Sequence, residues 1–287
     1  MFSVIIPTCH RNAELAECLK LLAPGVQTLV ADLYEVIVSD DGYDSTAEAM
    51  VQEQFPWARW VQGPRRGPAA NRNHGARQAG GEWLVFTDDD CLPSAGWLAA
   101  YDAAMADASC EVFEGATKAE RPRQRMDEVA PLNGSGGYLW SCNFVIRRIL
   151  FESIGKFDER FAYPAMEDVD LRFRLSSSHI KMAFVPLAVV IHPWRRHGGW
   201  RAIKRSVTSH HIYWSIHPEA LSLRTTLHFC RGGATKSYQL IPEAWRFRGR
   251  GSTAAIKESV HWLWLGFASL RRLVCLSRNG TKLLPLR

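Results

Sequence analysis

Four apolar runs constrain this chain more than any other feature of its sequence: residues 2–6 (FSVII), 34–39 (YEVIVS), 59–61 (RWV) and 83–86 (WLVF). A stretch with helical signals separates each from the next. Asn12 stands as an N-cap ahead of Leu15, Leu19 and Leu22 on one helical face, and Pro24 and Gly25 end that helix. Ser45 and Glu48 form a capping box for a second helix that stops before Pro56. Residues 67–76 (GPAANRNHGA) open a third. Strands joined by crossover helices pair in parallel, so residues 1–90 predict a parallel sheet built from βαβ units. The run 83–86 shows no polar alternation, the pattern of a strand covered on both faces.

That fourth strand runs into three carboxylates, Asp88, Asp89 and Asp90. Side chains alternate along an extended segment, so Asp88 and Asp90 are expected to share a direction that Asp89 does not. Ligands of open α/β sheets bind at the carboxyl ends of central strands. Converging carboxylates repel unless a cation joins them, and a hard divalent cation takes one or two carboxylates plus substrate phosphates. A solvated acidic turn would explain the triplet equally well if it stood alone.

Further along, a helix is expected from Pro93 to about Ala106, a strand at 111–116, a mobile loop rich in Arg, Pro and Gly at 118–137, and a strand at 138–146 (YLWSCNFVI). Glu167 starts a helix through Leu175, and residues 182–191 form the last clear strand, followed by His192. Beyond it the texture changes. Residues 1–194 carry 18 Lys/Arg against 26 Asp/Glu, whereas residues 195–287 carry 17 against 3. So basic a segment predicts an anionic partner. Residues 254–276 read as an amphipathic helix with Ile256, Val260, Trp264, Phe267, Leu270 and Val274 in one stripe, suited either to a membrane interface or to packing on the rest of the chain. No secretory signal and no spanning segment is evident. The seven cysteines are scattered singly, which argues against a zinc knuckle or disulfide framework and for reduced thiols.

Five landmarks stand in order: SVIIPTCHRN, SDDG, GPAANRNHGA, TDDD and FDERFAYPAMEDVDLRFRL. Their order and spacing over residues 2–193 resemble the inverting glycosyltransferase family 2 of bacterial cell-envelope and polysaccharide type. The resemblance implies an α/β GT-A fold, Rossmann-like, with a mixed, mainly parallel sheet flanked by helices. Residues 1–194 would be the catalytic domain, with nucleotide-sugar binding over about 1–92 and the acceptor side over about 93–194. Residues 195–287 match no family motif and would form a helical, Trp-rich extension.

The same resemblance assigns residues. Pro7, Thr8 and Arg11 would lie by the nucleotide, Asp40 or Asp41 would take base or ribose hydroxyls, and Arg72 would approach the diphosphate or base. Asp88 and Asp90 resemble the family's DxD, with Asp89 between them in the donor site. Asp90, Asp88 and His192 would hold Mn²⁺ or Mg²⁺. Glu167-Asp168 resembles the family's ED pair, with Asp168 as the base and Glu167 as the fallback. Trp140, Cys142 and Asn143 would border the sugar pocket.

The expected activity is transfer of a sugar, of hexosyltransferase type, from a nucleotide-sugar (a UDP-sugar first) to an acceptor hydroxyl. A glycan or lipid-linked acceptor, peripheral membrane contact through residues 195–287, and a cytoplasmic location at the inner membrane face follow as expectations. The rival reading is a nucleic-acid- or anionic-surface-binding protein acting through the basic third. No recognisable nucleic-acid motif is present, so no nucleic acid is expected as a partner.

Overall fold

The computed structural model describes residues 1–44, 46–106 and 110–278, with side chains to Leu276. Ser45, half of the expected capping box, lies outside the described residues. The chain divides into two compact units: Met1–Glu120 with Ala130–Pro193, and Arg121–Val129 with Trp194–Arg287.

The first unit is a mixed sheet of eight strands flanked by helices. β1 (Phe2–Thr8), β2 (Tyr34–Asp40), β3 (Arg59–Gln62) and β4 (Trp83–Phe86) are all parallel, in the order β3-β2-β1-β4. Their crossovers are α1 (Asn12–Leu22), α2 (Glu48–Gln54) and α3 (Pro68–Arg77). Val4, Ile5, Ile6, Leu84, Val85 and Phe86 are fully buried, as expected for strands covered on both faces. Leu15, Leu19 and Leu22 bury the predicted face of α1, whose N-cap is Arg11 rather than Asn12; the Asn12 amide instead donates to the Thr46 carbonyl.

Past β4 the sheet turns antiparallel. β8 (Phe144–Arg147) pairs antiparallel with β4 and with β6 (Val112–Ala119); β6 pairs in parallel with β9 (Met182–His192), and β5 (Leu92–Pro93) closes the edge. α4 (Trp97–Ala104), α5 (Arg148–Ser153) and α6 (Glu167–Ser177) complete this unit. The strand expected at 138–146 is confined to its last third, because the chain before it is taken up elsewhere. The buried Glu114 carboxylate accepts from the backbone N–H groups of Gly137, Tyr138 and Leu139 and from the Asn133 amide, so those residues cannot join a ladder.

Asn143 seals the irregularity in β6–β9 pairing after Gly115. Its amide donates to the Ala116 and Ala188 carbonyls and accepts from Trp97 Nε1 and the Tyr101 hydroxyl, all at 2.8–3.0 Å. Every hydrogen-bonding site on that side chain is used within the core. Asn143 is thus fixed by the core on all its polar atoms.

The second unit is helical. α7 (Gly199–Ile216), α8 (Leu223–Arg246) and α9 (Ser252–Arg278) follow a short antiparallel pair between β7 (Glu128–Val129) and β10 (Arg195–Arg196). The Ser222 hydroxyl caps α8 by accepting from Thr225 N. α8 and α9 run antiparallel and close: Gly233 has no Cβ because one would meet Leu263 at 2.7 Å. Residues 121–129 belong here and are well tied. Arg121 pairs with Glu128 at 2.7 Å, Arg123 with Glu243 at 2.9 Å, and Met126 packs with Phe247 and Ala255. No helix among the described residues is long and apolar enough to cross a membrane.

Candidate active site

The carboxyl ends of β1, β2 and β4 meet α3 and α6. β4 stops at Phe86, and Cys91 N donates to the Asp88 carbonyl, so residues 88–91 form a turn. The expected alternation therefore fails: Asp88 parts from the other two, and Asp89 and Asp90 share Arg11. Asp88 goes to Arg72 at 2.7 Å. Asp89 accepts from the Thr8 hydroxyl at 2.8 Å and from Arg11 at 2.9 Å, while Asp90 accepts from the same guanidinium at 2.8 Å. Burial pushes Asp89 up to about 7, against the pull of Arg11. Pro7, in register with Ser39, is a buried strand residue whose side chain offers no hydrogen bond.

Of the two aspartates at the end of β2, Asp40 is spent on its own loop. It accepts from Gly42 N, Ala47 N and Trp60 Nε1, and so holds the entry to α2. Asp41 accepts from Arg65 N at 2.8 Å and Gly67 N at 3.2 Å; burial raises it and these amides hold it down. Gly67 is required there: its φ is +95°, and a Cβ would lie 2.3 Å from the Ala162 carbonyl oxygen.

α3 is clamped at both ends of Arg72. The Asn71 amide donates to Ser39 O and Thr8 O, and Asn73 exchanges hydrogen bonds with the Phe157 backbone. These clamps, which the sequence reading missed, aim Arg72 across the cleft. Its guanidinium bonds Asp88 at 2.7 Å and Glu167, the first residue of α6, at 3.1 Å. Burial opposes the Arg72 charge, but Asp88 and Glu167 outweigh it and keep the group protonated.

Burial pushes Glu167 up to about 8, with the Asp168 charge adding to the rise and Arg72 opposing it. Burial also raises Asp168, while Arg72 and the N–H groups of Val169 and Ser141 pull it back. Glu167 Oε2 is buried with no hydrogen-bond partner. Both residues sit at a helix N-terminus, where the helix dipole favours negative charge.

Asp90, Cys91 and His192 bring one ligand atom each within 4.8 Å of one another. His192 is 1% exposed, and its Nδ1 lies 2.7 Å from the Pro193 carbonyl, which assigns the proton to that nitrogen. The bare Nε2 then faces Asp90 Oδ1 at 3.7 Å with no donor to satisfy it. A lone pair held against a carboxylate in a buried site fits a divalent cation. Burial keeps the Cys91 thiol well above its ordinary value and so uncharged, a poor ligand for a hard cation. Of the expected ligand set, Asp90 and His192 converge, and Asp88 is engaged by Arg72.

A stacked aromatic pair stands on the loop that Glu114 organises: Tyr138 and Trp140, with centroids 5.3 Å apart and rings 15° from parallel. Cys142 is buried.

This arrangement has relatives. A pre-mycofactocin glycosyltransferase of Mycobacterium tuberculosis is 29% identical over 210 residues, 65% of this chain and 43% of that protein. The chain thus spans less than half the length of that relative. Glycosyltransferase AglE of Haloferax volcanii is 26% identical over 216 residues, 68% of each. Among solved structures, S. aureus TarS in complex with UDP-GlcNAc superposes with a TM-score of 0.54 at 23% identity, over 68% of this chain and 59% of that one. This likeness places the fold among the GT-A glycosyltransferases. The model of "Glycosyl transferase family 2" matches residues 3–155, a span that holds β1 to β4, the clamped α3 and the acidic turn. The chain belongs to glycosyltransferase family 2.

Proposed function

We propose that the protein transfers a sugar from a UDP-sugar to an acceptor hydroxyl with inversion, using a divalent cation. One observation carries the reading: Arg72 bonds both Asp88, at the end of the donor strand, and Glu167, beside the candidate base. The two halves of the reaction are thereby joined in one cleft.

In this reading Thr8, Arg11 and Asp41 line the nucleotide, and Arg11 and Arg72 offer guanidinium groups to its phosphates. Asp90 and His192 would hold Mn²⁺ or Mg²⁺, whose charge would offset that developing on the leaving diphosphate. Asp168 takes the proton of the acceptor hydroxyl as its oxygen attacks the anomeric carbon, and the bond to the diphosphate breaks on the opposite face. The fixed backbone donors of Ser141 and Val169 hold that carboxylate in place. Tyr138 and Trp140 form an apolar platform for a sugar ring.

The helical unit supplies the acceptor side of the proposal. Its stripe Ile256, Val260, Trp264, Phe267, Leu270 and Val274 is exposed. A strongly basic unit that displays such a stripe suits peripheral contact with an anionic membrane, and hence a lipid-linked acceptor at the cytoplasmic face.

The test is UDP release from a panel of UDP-sugars, supplied with lipid-linked and soluble glycan acceptors, by the wild type and by Asp168→Asn. Acceptor-dependent release that falls by ~10²–10⁴-fold in the variant supports the reading. Undiminished turnover in Asp168→Asn sinks the assignment of the base.

A further inference from the structure

A groove of about 440 Å³ lies within the helical unit, between α7 and α9. Its lining is both apolar and cationic: along α9, Trp264 (47% exposed), Phe267 (67% exposed) and Ala268 precede Arg271 and Arg272, Cys275 and Leu276 follow them, and His211 comes from α7.

These arginines differ from Arg11, Arg72, Arg147 and Arg174 of the sheet unit, which pair with carboxylates. Residues 195–287 contain three acidic side chains, and each is engaged elsewhere: Glu219 with His217, Glu243 with Arg123, Glu258 with Lys236. Among the described residues no carboxylate pairs with Arg271 or Arg272. Arg272 Nε is buried with no acceptor, as are the Nε atoms of Arg72, Arg147 and Arg172; a guanidinium short of acceptors is unfavourable when buried. Burial, and after it the Arg272 charge, hold His211 below its ordinary value.

Two adjacent arginines recognise a phosphate by paired N–H donors, and a flanking Trp–Phe–Leu wall takes hydrocarbon. A free phosphate would leave that wall wet, and a neutral lipid would leave the arginines unanswered. We propose that this groove binds an anionic amphiphile, seating a phosphate or diphosphate headgroup on Arg271 and Arg272 and the first carbons of its chain on Trp264, Phe267 and Leu276. The site deepens the membrane-facing reading of the helical unit and rests on it. The charge of this unit selects such a ligand over a second copy of the chain, since two equally basic faces repel.

The experiment is calorimetric titration of the full chain with dodecyl phosphate below its micellar concentration. Saturable one-to-one uptake is expected, weakened at least ten-fold by Arg272→Gln and, independently, by the exposed substitutions Arg271→Gln and Phe267→Ser. Each variant is checked for an unchanged melting profile, and one that unfolds is replaced by the other two. Displacement by farnesyl diphosphate would identify an isoprenoid-linked headgroup; displacement by phosphatidylglycerol vesicles would identify a bilayer headgroup. Both support the site. Inorganic phosphate binding as tightly, dodecyl maltoside competing equally, or unaltered affinity in all three variants overturns it. So does a stable dimer that dodecyl phosphate fails to dissociate. Stabilisation by UDP is read alongside: its loss in the wild type would count against the transferase reading and leave the groove untouched.

Discussion

Arg72 and Glu167 are 95 residues apart in the chain and 3.1 Å apart in the fold. The contact is the hinge of the cleft, because the same guanidinium holds Asp88 from the other side at 2.7 Å. One buried cation thus orders the end of β4 and the start of α6 together.

Removal of that cation is expected to be costly. Arg72→Ala leaves two carboxyl groups without their donor, and a loss of ~3 kcal/mol or more is predicted. Urea denaturation of the variant measures it, and Arg72→Lys should recover only part because it cannot bond both partners in one plane. A variant as stable as the wild type would mean that the bridge contributes nothing.

Gly67 makes a sharper test of the loop beside Asp41. At φ +95°, with the Ala162 carbonyl 2.3 Å from the position of a Cβ, Gly67→Ala combines backbone strain with a clash. A loss of ~2 kcal/mol or more is expected, together with weaker UDP binding, since Gly67 N also donates to Asp41. Thermal melts with and without UDP report both effects.

Asn143→Ala should destabilise by ~2–4 kcal/mol, because it strands Trp97 Nε1, the Tyr101 hydroxyl and two carbonyls in the core. Its effect on turnover should follow the fraction folded. A well-folded Asn143→Ala with lost activity would place the residue in the sugar pocket.

The helical unit carries its own acid sensitivity. The side chain of Arg121 and the N–H groups of Gln124 and Arg125 hold Glu128 down at about 2, below the ordinary 4.5. A depressed folded value means the unfolded chain binds the proton first as pH falls. The stability contributed by Glu128 is therefore complete above about pH 4.5 and is lost as pH falls toward about 2. Glu128→Gln should flatten the acid limb of the stability curve over that window. Identical acid curves for variant and wild type would refute the assignment.

The parallel half of the sheet was legible because apolar strands and helical segments alternate without interruption to Phe86, although no side chain caps α1, α2 or α3. The site residues were legible as types, since strand ends and helix starts are where such side chains collect. Their pairing was not. Alternation put Asp88 with Asp90, but the chain turns immediately after β4, and Arg11 gathers Asp89 with Asp90 instead. Residues 138–143 carry strand-forming side chains, yet the distant Glu114 claims their amides. α7 and α8 escaped notice because His, Thr, Gly and a mid-helix Pro242 blur the apolar period, and their stability comes from packing on α9. The loop expected at 118–137 is instead tied down at residues 121–129, where Arg121 and Arg123 find carboxylates that sequence distance conceals.

The most direct measurement is the thermal stabilisation of the full chain by UDP, with and without Mn²⁺, in the wild type, Asp90→Ala and His192→Ala. A ligand that binds the folded state alone raises its melting temperature by mass action. The account predicts a shift with UDP that grows on adding Mn²⁺ in the wild type and ceases to depend on the metal in both variants. Stabilisation by UDP that ignores Mn²⁺ in the wild type, or that keeps its metal dependence in both variants, would contradict it.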